Sequence, residues 1–310
     1  ELILVRIFHA DRMIGYLPLH RRKARYGWVL ACALLSFPSH PHVPFCDMAV
    51  TAEGLPPALL PSLIGYLENR RDLAWLNLFL RGTPERSRLR RAVVAAGLST
   101  CISGERARFL IDAGLSDRLP KKLMRNIRRL RQRAESDYGT VRLDVISDPS
   151  DMDRALDLFL DLEASGWKGA AGTDTAIKGN PTLLAFYRGL VRSFGTDGAA
   201  RIAILWFGDR PAAAQLALVV DGIWSILKIG YQEAFKDQGP GVILLKALLE
   251  RRLAAMDVRE VSLVTSPEWA RRWHCDHEPL HDIRLFRKNA LGQALRTAYH
   301  LSGKAKGATT

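Results

Sequence analysis

Ile226-Leu-Lys-Ile-Gly-Tyr231-Gln-Glu-Ala-Phe235-Lys236-Asp-Gln238-Gly239-Pro240-Gly241, running into Val242-Ile-Leu-Leu-Lys-Ala-Leu-Leu-Glu-Arg-Arg-Leu253, decides how this chain is read. The pattern is strand, glycine-rich loop, amphipathic helix. Gly239 and Gly241 take side chains away where a ligand could approach the backbone. The N–H groups of a helix's first turn have no partner within the helix, and the positive end of the helix dipole lies behind them. Such a helix start suits phosphate. Lys236 stands three residues before Gly239 and could add charge. The same segment is also a common way simply to turn into a helix.

The 310 residues can build one large domain or two ordinary ones. With 48% hydrophobic and 25% charged residues, wholesale disorder is excluded. No apolar run approaches the roughly 20 residues of a membrane span. Trp28 to Phe37 is too short, and Pro38, Pro41 and Pro44 follow it. The chain opens inside a strand-like run without Met, as a trimmed or partial N-terminus would. Cys32, Cys46, Cys101 and Cys275 are scattered, which predicts reduced thiols in a cytoplasmic protein and no zinc site. A formal charge of +13 predicts attraction to something anionic: nucleic acid, an acidic membrane face or a phosphorylated ligand.

The chain contains a duplication of pattern. Leu2 to Leu19 reads strand, turn, strand around Asp11-Arg12, and Arg201 to Leu218 reads the same around Asp209-Arg210. A helix-like segment, Gly54 to Leu67, precedes a strand at 74–80. Gly241 to Ala255 likewise precedes a strand at 261–264. This predicts a tandem repeat of one α/β unit. Gly54-Leu-Pro-Pro has two prolines where the second half has its glycine loop, so phosphate binding is expected in the second half only.

Between the halves, residues 116–133 form a helical pattern with Leu119, Leu123, Ile127 and Leu130 as its stripe and Asp117 in its first turn. Lys121, Lys122, Arg125, Arg128, Arg129 and Arg133 crowd the rest of the surface. They read either as a solvated face on a connecting helix or as a contact for an anionic partner.

Three further stretches accompany the glycine loop: Leu162-Glu163-Ala-Ser165-Gly-Trp167-Lys168-Gly169, Pro181-Thr-Leu-Leu-Ala-Phe186-Tyr187, and Arg271-Arg272-Trp273 followed by Ile283-Arg-Leu-Phe286. Lys-x-x-Gly-x-Gly resembles the pyrophosphate loop of the GNAT acyltransferases. The order and spacing of all four, across nearly the whole chain, resemble the CelD-type acyltransferases associated with cellulose biosynthesis. Related proteins make bacterial ceramides, and related Fem-type transferases draw on aminoacyl-tRNA with a doubled GNAT architecture. The resemblance implies an acyltransferase with acyl-CoA or acetyl-CoA as donor substrate. Family members often carry acidic residues where this chain has Ser262 and Thr265-Ser266-Pro267, so no general base is expected there.

Acyl transfer to an amine requires loss of an amine proton, donors for the carbonyl oxygen and a proton for the thiolate. Glu163 is the candidate base or amine anchor, with a surface glutamate or a salt-bridge partner as its plain alternative. Tyr231 is the candidate acid, with aromatic packing as its alternative. Lys228 is a candidate catalytic group on a strand whose alternation leaves its face open. Lys236, Gln238, Gly239, Gly241 and Val242 are the donor-binding set, and Trp167, Lys168 and Arg272 the acceptor-side set. His274-Cys275-Asp276-His277-Glu278 matches no zinc spacing, so no metal is expected.

The expected fold is α/β with mixed sheets, as two tandem GNAT-like units. The expected divisions are a degenerate unit at 1–115, a basic connecting helix at 116–138, an acyl-CoA-binding unit at 139–290 and a polar tail at 291–310. The expected function is acyl-CoA-dependent transfer to an amine or hydroxyl, with the acceptor between the halves and a ceramide-like lipid amine among the acceptors. The alternatives are Fem-type transfer from tRNA, or a non-catalytic scaffold binding anionic lipid or nucleic acid. The expected location is cytoplasmic, with a peripheral contact to the inner membrane through the basic helix; nucleic acid is the less favoured partner.

Overall fold

The computed structural model describes residues 1–26, 30–43, 45–51, 59–96, 100–112, 119–166, 169, 173–251 and 258–301. These fall into two units. One comprises Glu1–Arg108 with His277–Thr310, the other Phe109–Asp276.

In the first unit, β1 (Leu2–His9) and β2 (Arg12–Tyr26) form a hairpin. Its two-residue turn is Ala10-Asp11, both at positive φ, a turn that matches strand twist. β3 (Leu30–Ser36) pairs antiparallel with β2, and the short β4 (Ala49–Val50) sits beside β2. After α1 (Leu59–Asn69), β5 (Trp75–Pro84) runs parallel to β3. α2 (Arg88–Ala95) and β6 (Thr100–Asp112) follow, the helix capped by the Ser87 hydroxyl. Residues 52–58, where the Gly54-Leu-Pro-Pro entry falls, lie outside the described residues.

The second unit opens with the end of β6. It continues through α3 (Lys121–Tyr138), β7 (Val141–Ile146), α4 (Pro149–Ser165) and α5 (Pro181–Gly195). Asp148 and Asn180 cap the last two helices through their side chains, each followed by proline as the first helical residue. The hairpin β8 (Ala200–Phe207) and β9 (Arg210–Val220) leads to β10 (Ile223–Tyr231). Then come α6 (Pro240–Arg251) and β11 (Glu260–Ser262), which pairs parallel to β10. β12 (Asp276–Phe286) and α7 (Ala290–Leu301) close the chain in the first unit.

The same motif therefore occurs twice. β1-β2-β3 with parallel β5 in one unit answers to β8-β9-β10 with parallel β11 in the other. The next strand of each copy is then exchanged. The end of β6 pairs with β11, and β12 pairs with β5. This exchange explains why the first unit is discontinuous in sequence and why the chain divides elsewhere than at 115, 139 and 290. The segment expected as a polar tail is largely α7, whose Leu295 packs with Leu76, Cys101 and Phe286.

In the second unit the sheet is covered on both faces. Leu156, Phe159, Tyr187 and Val191 of α4 and α5 bury Ile202, Ile204 and Leu216 on one side. On the other, Leu123, Ile127 and Ala134 of α3 and Leu244, Leu245 and Leu248 of α6 bury Leu205, Phe207 and Val261. The helix expected as a connector is thus a core helix of this unit. It starts at Lys121, so the expected first-turn Asp117 lies outside the described residues. No described helix is long and apolar enough to cross a membrane.

Candidate functional site

The parallel ladder of β10 and β11 is short. It joins Ile223, Trp224 and Ser225 to Glu260, Val261 and Ser262 and stops there. β10 continues to Tyr231, still paired with β9, and is bulged between Ile226 and Lys228. Beyond Ser225 the two parallel strands share no further rung, leaving a wedge at their ends, and of the residues predicted to be catalytic Lys228 and Tyr231 lie on β10 and Glu163 on α4.

Gly230 lies against the end of α4. A Cβ there would stand 2.7 Å from both the Cα and the N of Glu163, so only glycine admits this approach. Glu163 is 3% exposed. Its Oε2 accepts the Ile177 N–H at 2.9 Å, pinning the loop that leads into α5. Burial, with the Glu163 charge beside it, pushes the Tyr187 hydroxyl far above its ordinary pKa. The Ser165 hydroxyl donates to the Leu162 carbonyl at 2.9 Å and reaches the Tyr231 carbonyl at 3.4 Å. The end of α4 and the end of β10 are therefore in backbone contact, with the Glu163 side chain buried on the Ile177 and Tyr187 side and Tyr231 packed against the cluster formed with α3 and α6. Burial first, then the Glu233 carboxylate, raises the Tyr231 phenol above its ordinary value and keeps it a proton donor. Lys228 is half-buried just past the bulge.

The glycine loop is built differently from expectation. Glu233–Gln238 is a 3-10 turn that ends at Gly239, φ +60° and ψ +50°. A Cβ on Gly239 would come within 2.9 Å of Leu130 Cδ1. Its glycine is thus required by a left-handed turn packed on α3. The Gly239 N–H donates to the Lys236 carbonyl at 3.0 Å. Pro240 has no N–H, and the Val242 and Ile243 amides donate to the Gly239 carbonyl at 3.1 and 3.2 Å. Gly241 remains: its N–H bonds no other described residue, and a Cβ on it would meet nothing within 4 Å. Gln238 points inward. It is buried, and its Nε2 donates to Asp137 Oδ2 at 3.3 Å, at the end of α3. Val242 is half-buried against the core. Lys236 is exposed, with Glu233 Oε1 at 3.7 Å.

Arg272 is exposed in the 3-10 turn Glu268–Trp273, where its Nε donates to the Trp269 carbonyl at 3.0 Å. Trp167 and Lys168 lie outside the described residues. A cavity of about 330 Å³ lined by Arg131, Val141, Arg142, Leu205 and Glu250 contains none of the predicted residues. Among the described residues there is no group of three or more metal-ligating side chains.

The first unit carries a buried ion pair on β6 and β12. Arg108 and Glu278 form a buried pair, Nε to Oε2 at 2.7 Å, and Glu278 Oε1 also accepts the Arg86 N–H at 3.0 Å. Phe45 lies under the Arg108 guanidinium, 4.7 Å from centroid to Cζ.

A model of the GNAT acetyltransferase domain matches residues 121–301, from the first residue of α3 to the last of α7. The chain belongs to this family. It is a GNAT-fold acyltransferase with a large mixed sheet. Among solved structures, FemX is similar with a TM-score of 0.61 at 9% identity, over 97% of this chain and 90% of that one. The C-terminal domain of a putative lysylphosphatidylglycerol synthetase from Agrobacterium fabrum has a TM-score of 0.56 at 14% identity, over 94% and 88%. L-PGS from Bacillus licheniformis has a TM-score of 0.54 at 11% identity, over 93% and 86%. At these identities the likeness is one of fold. The search of curated proteins found no match.

Sequence reasoning missed Gly230 and the turn after Ser262. A glycine inside a strand pattern is a signal of close backbone approach and could have found the first. The second carries no sequence signal, because valine opposes the conformation it adopts.

Proposed function

We propose that this GNAT protein transfers an acyl group from a CoA thioester to an amine at the wedge where β10 leaves β11. The observation that carries the reading is the run Ile226–Tyr231, continuing past the ladder with its bulge, beside buried Glu163 and proton-holding Tyr231. The amine nitrogen attacks the thioester carbonyl carbon, and Glu163 accepts the amine proton. The C–S bond then breaks, and the Tyr231 hydroxyl gives its proton to the departing thiolate. Lys228, near the bulge, is assigned to the developing oxyanion. Gly241 and Lys236 are assigned to the pyrophosphate, and Arg272 to the acceptor side. The lipid-amine version of the acceptor draws on the resemblance to CelD-type proteins.

One observation favours a second reading. The helix start offers a single open amide at Gly241, a spare cradle for two phosphates. Meanwhile Lys121, Lys122, Arg125 and Arg128 are exposed on α3, away from its buried stripe, and ion-pair with no other described residue. An aminoacyl-tRNA donor, of the kind that Fem-type proteins use, would be held by such a basic face more than by the loop. The same face is also assigned to peripheral contact with an anionic membrane. Thermal shift with acetyl-CoA, long-chain acyl-CoA and aminoacyl-tRNA separates the donors. Stabilisation by a CoA thioester supports the first reading; stabilisation by charged tRNA alone replaces it with the second.

A further inference from the structure

The chain does something unusual immediately after the β10–β11 ladder ends. Val264 has φ +64°, in the left-handed region where a β-branched residue is an outlier. The Thr265 N–H donates to the Leu263 carbonyl at 2.6 Å, closing a γ-turn with Val264 at its centre. Turns of this kind with positive φ are rare and strained. Three contacts hold it. Ser262, fully buried, accepts the Val264 N–H on its Oγ at 3.1 Å. The Leu263 N–H donates to the Phe109 carbonyl at 2.9 Å, and the Phe109 N–H donates to the Thr265 carbonyl at 3.0 Å.

The first unit supplies an internal comparison. Its parallel ladder ends at Ser36 and Phe79, and three residues later β5 also bulges at positive φ. There the residue is Gly82, φ +69°, with its N–H on Asp282 Oδ1 at 2.9 Å. Glycine occupies this region without penalty. The second unit makes a similar departure with valine and clamps it with a serine. Backbone strain of this kind persists where the surroundings over-determine it, and such places cluster at functional sites.

We propose that Ser262 and Val264 are positioning residues, whose clamped turn steers β11 away from β10 and holds open the wedge in which the donor's acyl arm lies. The proposal rests on the donor site assigned above. It gives Ser262 a backbone role where the sequence comparison noted a missing carboxylate. Without the clamp, Val264 relaxes to the extended backbone that valine prefers, β11 continues along β10, and the wedge closes. The turn's conformation is what matters, so glycine at 264 preserves it.

The test uses Ser262→Ala, Ser262→Thr and Val264→Gly in the full chain. Amide hydrogen exchange is followed along Ile226–Tyr231 without ligand, and acetyl-CoA affinity is measured by calorimetry. Ser262→Ala slows exchange of the β10 amides not bonded to β9 by about tenfold or more, and weakens acetyl-CoA by about tenfold. Ser262→Thr and Val264→Gly match the wild type in both. A folded Ser262→Ala variant with unchanged exchange overturns the proposal, and so does a Val264→Gly variant that behaves like Ser262→Ala. If the wild type ignores acetyl-CoA, the donor assignment falls, and the ligand-free exchange comparison still decides the turn.

Discussion

Two glycines in one loop are expected to fail in opposite ways. At Gly241 an added Cβ meets nothing within 4 Å, so Asp fits without displacing any atom. A carboxylate in the first turn of α6 gains about 0.3–1 kcal/mol from the helix dipole, so folding stability holds or rises. A pyrophosphate charge about 5 Å from that carboxylate, at an effective dielectric near 20, is repelled by about 3 kcal/mol. CoA affinity therefore falls by at least about 100-fold. At Gly239 the backbone is left-handed and Leu130 Cδ1 lies 2.9 Å from the added Cβ. Gly239→Ala costs about 1–2 kcal/mol for the conformation alone. Its N–H already serves the Lys236 carbonyl, so CoA affinity changes little once the protein is folded. Calorimetric titration with CoA and thermal denaturation of both variants give the four values needed. A folded Gly241→Asp protein that binds CoA like the wild type refutes the reasoning. A stable Gly239→Ala protein that loses CoA would move the phosphate contact back to residue 239.

Glu163→Gln keeps an acceptor for the Ile177 N–H and so keeps the fold; if Glu163 is the base, the turnover rate falls by about 10²–10⁴. An unchanged rate would leave Glu163 a loop anchor only. Tyr231 has a raised pKa, so it remains protonated through neutral pH and activity is lost only as pH climbs past the ordinary tyrosine range. In Tyr231→Phe the rate drops and that alkaline limb disappears, as a pH–rate profile would reveal. Glu278→Ala leaves Arg108 buried and unpaired and should cost about 3–5 kcal/mol in chemical denaturation. Burial and then Asp276 raise the Cys275 thiol to about 11, from an ordinary 9.0. Its contribution to stability is full below pH 9 and is lost as pH rises toward 11, so Cys275→Ser should flatten the stability curve there. On vesicles, Arg125→Glu with Arg128→Glu should abolish salt-sensitive co-sedimentation with anionic lipid; binding that survives the change places the contact elsewhere.

The strand–loop–helix stretch and the paired hairpins were legible because their signals are local. Alternation, two-residue turns and helix periodicity depend on near neighbours, and the duplicated pattern emerges from them. The exchange of β6 and β12 was not legible. Which strand an apolar run pairs with depends on contacts far apart in sequence, such as Ser262 with Leu110 and Leu285 with Leu78. For the same reason α3 passed for a connector: its stripe is visible in sequence, but its burial beside α6 is a tertiary fact. Gly239 and Gly241 look alike in a motif, and only φ and the neighbouring Leu130 separate them. Val264 is the hardest case, because local propensity gives the opposite answer and only Ser262 and Phe109 enforce the turn.

A crystal structure of the full chain with acetyl-CoA tests the central claim most directly. The account predicts the thioester carbonyl beside the β10 bulge at Leu227, the sulfur near the Tyr231 hydroxyl and the pyrophosphate against the Gly241 amide. Acetyl-CoA lodged in the first unit, or on the basic face of α3 with the wedge empty, would contradict it.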